Sequence, residues 1–305
     1  MKLGVANGCY CSETEQFAYF KECGFDASLF SLGKYFDRKG MFDAFTVSDQ
    51  QIEEHFTMLK EEAEKVDFFI DQTHSAFSGH PRGYDFDIDE IVKRQEASIK
   101  ATHYLGSKFC VVHPIIKPGR RYDLLKKEAF DESVEFYKRL TPTLEKFDVY
   151  CCIENMWVSD PVHRHICSTI LSHAEEMREM SEVLGERFKI CLDVGHAPLT
   201  QDDPVKMVNI CGDKLACLHA HEVDGLSDLH TFPFCKFGKP VGIKPMRTDW
   251  QGFMKALKEE NYQGNLSFEI GVPGPRELHK AGLEYLSEVG RYLINVYDNH
   301  NAEEA

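Results

Sequence analysis

Residues 219–230 read HAHEVDGLSDLH, and six of these twelve side chains are ionisable: three histidines, two aspartates and a glutamate. Imidazole nitrogens and carboxylate oxygens together suit divalent cations such as Zn²⁺, Mn²⁺, Mg²⁺ or Fe²⁺. The stretch begins inside an apolar run, LACLHAH (215–221), and five other runs end in the same way. FFIDQTH (68–74) ends in His74 and KFCVVH (108–113) in His113. VYCCIEN (149–155) carries Glu154, FKICLDV (188–194) Asp193, and NLSFEIG (265–271) Glu269. A lone histidine on an apolar run is ordinarily a satisfied core residue. A carboxylate there is costly unless paired or bound to a metal. No Lys or Arg stands beside these run ends to balance the acids. The set His74, His113, Glu154, Asp193, His219 and Glu269 therefore reads as metal-binding, with His196, His221, Asp228 and His230 as further donors; His74, His113 and these four are alternatively substrate-binding groups.

Such donors come from distant parts of the chain, so a fold must bring them together. KLGVAN (2–7) and FDASLF (25–30) bring the apolar runs to eight. They are nearly continuous in apolar residues, as strands of a parallel sheet buried on both faces are. Between them, three-four spacing of apolar residues predicts helices over Glu13–Cys23, Ser48–Lys65, Asp87–Leu105, Arg121–Phe147, Cys167–Leu184, Pro204–Cys211, Asp249–Glu260 and Pro275–Val296. Eight strand–helix units predict an α/β fold, a single (β/α)8 TIM barrel over residues 1–298, with a polar tail at 299–305. The opening GVANGCYC lacks the G-x-G-x-x-G of a dinucleotide-binding turn. In a barrel the strand ends share one face, where active sites form.

Composition narrows the function classes. The chain has 305 residues, is 43% apolar, and has a formal net charge of −15, which weighs mildly against a nucleic-acid partner. No apolar run is long enough to cross a membrane. The first residues lack the long apolar segment of a signal peptide, so a cytoplasmic location is expected. There are eleven cysteines and no C-x-x-C pair. Cys110, Cys151, Cys152, Cys191 and Cys217 lie within the apolar runs, which predicts reduced, buried thiols.

These motifs carry a resemblance. HP at 113–114, IEN at 153–155, LDVGH at 192–196, H-x-H at 219–221 with D-L-H at 228–230, and FE at 268–269 resemble the xylose-isomerase-like TIM-barrel superfamily. That group joins sugar isomerases and epimerases to AP endonucleases of the endonuclease-IV type (AP endonuclease family 2). In the isomerase branch the resemblance implies one divalent metal on Glu154, Asp193, His219 and Glu269, the two glutamates trading a proton at a substrate carbon. His196 would then contact a sugar or sugar-phosphate substrate. In the nuclease branch it implies up to three zincs: one on His74, His113 and a bridging Glu154, one on Asp193, His219 and Glu269, and one on His196, Asp228 and His230. The isomerase branch is preferred because HSAFSGHPRGYDFDIDE (74–90) shows one Arg among several acids, not the basic cluster that gripping a duplex requires. Nucleic acid is a partner only under the alternative. Barrels of the isomerase type often pair, so a homo-oligomer is compatible with this reading.

Other segments are less decided. Glu222-Val223 stands where relatives of the isomerase type commonly carry Asp-Asn. The stretch FCKFGKPVGIKPMRTDW (234–250) is longer than usual and puts Lys236, Lys239, Lys244 and Arg247 near the barrel mouth. Lys239 and Arg247 are candidate substrate contacts; a solvated loop is the plainer reading. MWVSDPVHRHICST (156–169) reads as a lid bearing His163, Arg164 and His165 or as a surface loop, and Trp157 as an apolar wall for a sugar face. Phe77 is expected in the core or in the substrate wall, rather than as a wedge for DNA.

Overall fold

The computed structural model describes residues 1–8, 11–77, 87–117, 122–160, 162–163, 165–236, 247–272 and 274–300. The chain runs β1 (Leu3–Ala6), α1 (Gln16–Glu22), β2 (Ala27–Ser31), α2 (Gly33–Phe36), α3 (Asp49–Glu64), β3 (Phe69–His74), α4 (Ile88–Tyr104), β4 (Phe109–Val112), α5 (Lys126–Lys138), α6 (Thr141–Phe147) and β5 (Tyr150–Glu154). It continues through β6 (Trp157–Ser159), β7 (Ile166–Ser168), α7 (Ala174–Leu184), β8 (Phe188–Asp193), α8 (His196–Leu199), α9 (Pro204–Cys211), β9 (Leu215–His219), α10 (Trp250–Glu259), β10 (Leu266–Phe268) and α11 (Arg276–Asp298). Eight strands form one parallel sheet in the order β10-β1-β2-β3-β4-β5-β8-β9. Ala220 bridges to Phe268, its N–H donating to the Ser267 carbonyl while the Glu269 N–H donates to its own, and this joins β9 to β10. The sheet is thus the barrel that the sequence predicts.

Four helices start where the sequence supplies a side-chain acceptor for the free N–H groups of a first turn. Ser48 and Gln51 form a reciprocal capping box at α3. Asp87, Asp203 and Asp249 cap α4, α9 and α10. The apolar faces of the helices bury Phe17, Phe56, Tyr137, Met177 and Trp250 against the sheet. Val111, Cys152, Cys191 and Cys217 form a separate small cluster. The five cysteines expected inside are buried, and the ten described cysteines are free thiols. Among the described residues no helix is long and apolar enough to cross a membrane.

Two helices depart from the sequence reading. The pattern over Arg121–Phe147 is two helices, α5 and α6, with Pro142 in the first turn of the second. Proline has no N–H to give and suits that position. The pattern over Cys167–Leu184 becomes helical only at Ala174. Cys167 lies instead in β7, which pairs antiparallel with β6 through Trp157↔Ser168, Val158↔Cys167 and Ser159↔Ile166. Strand-favouring Trp157, Val158 and Ile166 take this segment out of the helix. Residues 301–305, most of the expected tail, and Lys239, Lys244 and Arg164 lie outside the described residues.

The seam between β1 and β10 is tight. Gly4 pairs with Ser267, and a Cβ on Gly290 of α11 would press on Leu3 and Phe268. Gly290→Val should therefore cost about 1–3 kcal/mol through overpacking. Urea unfolding should show a lower midpoint with an unchanged slope; an unshifted midpoint would mean that the seam has room to spare.

Candidate metal centre

The ten chemistry-bearing residues picked out in the sequence gather at the C-terminal ends of the barrel strands. Glu154, Asp193, His219 and Glu269 each offer a donor atom within 4.8 Å of the others. His219 Nδ1 is 2.9 Å from Glu154 Oε1, 3.2 Å from Glu269 Oε2 and 4.0 Å from Asp193 Oδ2. Glu154, Asp193 and His219 are buried; Glu269 is partly open to the cleft. Burial opposes charging His219, yet the Glu154 and Glu269 carboxylates beside it hold its pKa well above the usual range. Burial likewise opposes the Glu154 carboxylate, but His219 and His113 hold its pKa well below normal. Three carboxylates thus converge on one imidazole. Among the described residues no Lys or Arg forms an ion pair with any of the three, so a divalent cation is the natural complement to the excess charge.

Two further groups flank this one. His74 and His113 bring their Nε2 atoms to 3.0 Å from each other, and both face Glu154 Oε2, at 3.6 and 2.8 Å. His196, His221, Asp228 and His230 form the other group. His196 Nε2 is 3.4 Å from Asp228 Oδ2, and His230 Nε2 is 3.2 Å from Asp228 Oδ1. Burial opposes charge on both imidazoles, but Asp193 and Asp228 raise His196 to about 10, while Asp228 and Glu269 raise His230 to about 9. Asp228, despite burial, is held far below the carboxylate range by the same two histidines.

The rings are aimed by bonds behind them. His74 Nδ1 donates to the Ser75 carbonyl, His196 Nδ1 to that of Asn155, and His230 Nδ1 to that of Glu269. Each bond leaves Nε2 turned inward, the arrangement that prepares histidines for metal. Asn155 also locks β5 to β8: its Nδ2 donates to the Asp193 carbonyl, and its Oδ1 accepts from the Asp193 N–H. His221 is wholly buried and its Nε2 lies 3.0 and 3.1 Å from the two Asp193 oxygens. A Cβ on Gly195 would collide with the His221 ring, which explains the glycine of LDVGH.

The strand-9 exit now has a local account. Asp224 Oδ1 accepts from the Leu226 and Ser227 N–H groups, and Gly225 takes φ 77°, a turn that glycine makes freely. Glu222 and Thr231 exchange two backbone bonds, closing the loop so that Asp228 and His230 face the barrel. The departure at Glu222 is structural: its Oε2 accepts from Trp250 Nε1 at 2.8 Å. His230 stacks on His221 with ring centres 3.9 Å apart and sits in the left-handed region at φ 44°. Such backbone is unusual without glycine and is found where a site imposes it. The roles of Asn155, Gly195 and Glu222 escaped the sequence reading, although IEN and LDVGH contained the first two.

Aromatic walls stand on either side. Phe77 is half exposed and meets His113 edge-on at 5.5 Å; it is not a core residue. Trp157, in β6, meets His196 edge-on at 6.3 Å. Arg247 is exposed and its charge acts on Glu222. The ends of β1 and β2 carry no donor of the three groups. There a polar cavity of about 290 Å³ is lined by Asn7, Ser12, Glu13, Ser31 and Lys34 among others.

Comparisons with known proteins agree with this architecture. The structure is similar to that of a D-tagatose 3-epimerase-like protein, with TM-score 0.69 and 18% identity over 98% of each chain. It is similar to D-psicose 3-epimerase from Clostridium cellulolyticum, with TM-score 0.68 and 17% identity over 96% of this chain and 99% of that one. It is also similar to 3-keto-D-glucoside 4-epimerase from E. coli, with TM-score 0.64 and 16% identity over 94% and 99%. A curated relative, the uncharacterized protein y4fM of Sinorhizobium fredii, is 23% identical over 206 residues, 66% of this chain, and the match spans only 58% of that relative's length. Residues 17–289 match the model of the xylose isomerase-like TIM barrel family, to which this chain belongs.

Proposed function

We infer that the protein is a divalent-metal-dependent isomerase or epimerase of sugars or sugar phosphates. The observation that carries this reading is the convergence of Glu154, Asp193, His219 and Glu269 within 4.8 Å, with both glutamates against the same imidazole nitrogen. A cation held by these four would polarise a substrate carbonyl and the hydroxyl beside it. Glu154 and Glu269 then serve as the acid/base pair: one takes the proton from the carbon beside the carbonyl and the other returns one. Both are held ionised in the metal-free chain, so the one that takes the proton is ready as a base, while the other must first draw a proton from solvent before it can return one. Phe77 and Trp157 offer apolar faces to a sugar ring. The cavity at β1 and β2 offers hydroxyl partners, with Lys34 and Glu13 paired at 2.8 Å. The epimerase neighbours support this substrate class.

A second reading, a zinc phosphodiesterase resembling endonuclease IV, is kept by a specific observation. His74, His113 and Glu154 form one further donor group, and His196, His221, Asp228 and His230 another. Filled together, the three groups would suit a phosphodiester and an activated water.

Elemental analysis of chain purified without chelator separates the two. About one ion per chain supports the isomerase; one in each of the three groups, with cleavage of abasic-site DNA, would overturn it. Metal uptake should release protons, because ligation needs neutral imidazoles. In the metal-free chain His219 is protonated at neutral pH, so affinity should rise with pH; calorimetry in buffers of different ionisation heat reads the proton count. About one proton should leave with a single ion, and more if His196 and His230 also bind. Catalysis is tested with a sugar panel in deuterated water. Glu269→Gln should lower solvent deuterium incorporation by about 10²–10⁴-fold with circular dichroism unchanged. Full exchange in that variant would rule out the two-glutamate mechanism.

A further inference from the structure

Outside the barrel centre, one more group of metal-type donors is gathered. Asp160, His163 and His165 sit on the loop that joins β6 to β7, and each offers a donor atom within 4.8 Å of the other two. The loop is closed by the Asp160 N–H donating to the His165 carbonyl at 2.8 Å, directly beyond the last β6–β7 pair, Ser159↔Ile166. Asp160 Oδ1 accepts from the Val162 N–H at 2.9 Å and the His163 N–H at 2.6 Å, which folds the turn back over the carboxylate. His163 Nδ1 lies 3.2 Å from the same oxygen, and the His163 and His165 ring centres are 5.8 Å apart. Both imidazoles are exposed. Neither ring nitrogen of His165 has a hydrogen-bond partner among the described residues.

We propose that this hairpin tip is a second, independent metal site, binding one borderline divalent ion such as Zn²⁺ or Ni²⁺ through Asp160, His163 and His165. Two imidazoles and one carboxylate are the donor set that such ions prefer, and a set that Mg²⁺ does not. Ligands about 2.0–2.2 Å from a tetrahedral zinc lie about 3.4 Å apart. The three donor atoms, now within 4.8 Å of one another, have only a short way to close to that spacing. Three protein donors leave a fourth position for water, so the ion would exchange with solvent more readily than one held in the barrel. The tip also has a route to the barrel mouth. Trp157 begins the same hairpin and its ring lies against His196, so an ion that ties the tip together steadies one wall of the cleft.

The test uses the untagged full chain and a His163→Ala/His165→Ala double variant, compared by equilibrium dialysis over a range of free Zn²⁺. These side chains are exposed and lie outside the proposed catalytic set, so the fold and the barrel metal should persist; circular dichroism and the content of slowly exchanging metal check both. The wild type should bind one equivalent more than the variant at saturation, and Asp160→Asn should weaken that equivalent. Mg²⁺ should show no such difference. Equal zinc content in wild type and double variant would overturn the proposal. A second measurement does not depend on counting. Substoichiometric Ni²⁺, added after the barrel centre is loaded with zinc, should broaden the ring-proton NMR signals of His163 and His165 first. If those two signals stay sharp while others broaden, the site is not at the hairpin.

Discussion

The top of this barrel is organised by too much negative charge in too little water. Glu154, Asp193 and Glu269 all approach His219, and the first two are buried with it. Isolated carboxylates in such a place would be neutralised or expelled. Here Glu154 is kept ionised by His219 and His113, and the neighbouring Asp228 by His196 and His230. The neighbouring structure serves that arrangement. Asn155 ties the two strand ends that carry Glu154 and Asp193, and His221 backs Asp193. Gly195 stays small to admit His221. Removing one positive partner would leave a buried anion, which costs far more than a lost surface pair.

Much of this was legible in the sequence because a barrel translates chain position into space in a simple way. A strand buried on both faces reads as a short apolar run, and its last residue falls on the working face. His74, Glu154, Asp193 and His219 each close a strand, and His113 and Glu269 come directly after one. What did not read out has physical reasons. The β6–β7 hairpin has only three residues per strand, too few for alternation to show, and its apolar residues extended a genuine helical pattern backwards. The break between α5 and α6 is marked by Pro142, but proline in a first helical turn is as acceptable as a loop. The supporting bonds of Asn155 and Glu222 link residues 38 and 28 positions apart, and no local pattern encodes such a partner.

The layer beneath the centre bears on which ion the site would choose. Cys152, Cys191 and Cys217 lie inside the barrel with Val111, and Cys152 and Cys217 approach to 3.5 Å between sulfurs. Thiolates close to a metal site would draw it toward soft ions. Burial instead raises the pKa of Cys191 beyond the ordinary thiol range and that of Cys217 well above it. As neutral thiols they pack as small hydrophobes and compete poorly as ligands. Cys152 and Cys217 stand two strands apart, with β8 between them, too far for an unstrained disulfide. The donor set facing the cleft is therefore oxygen and nitrogen.

The distribution of donors around the rim also limits how a substrate can lie. Six of the eight barrel strands, β3, β4, β5, β8, β9 and β10, deliver His or carboxylate groups at their ends. β1 and β2 deliver none and border the polar cavity instead. Ser31, at the end of β2, pairs directly with His74, so this cavity adjoins the donor ring. The rim thus has an acidic, imidazole-rich arc on one side and hydrogen-bonding groups of little net charge on the other. Lys34 contributes little net charge there, being paired with Glu13, which also accepts from the Tyr35 hydroxyl at 2.9 Å. That end of the cleft is therefore matched to hydroxyls.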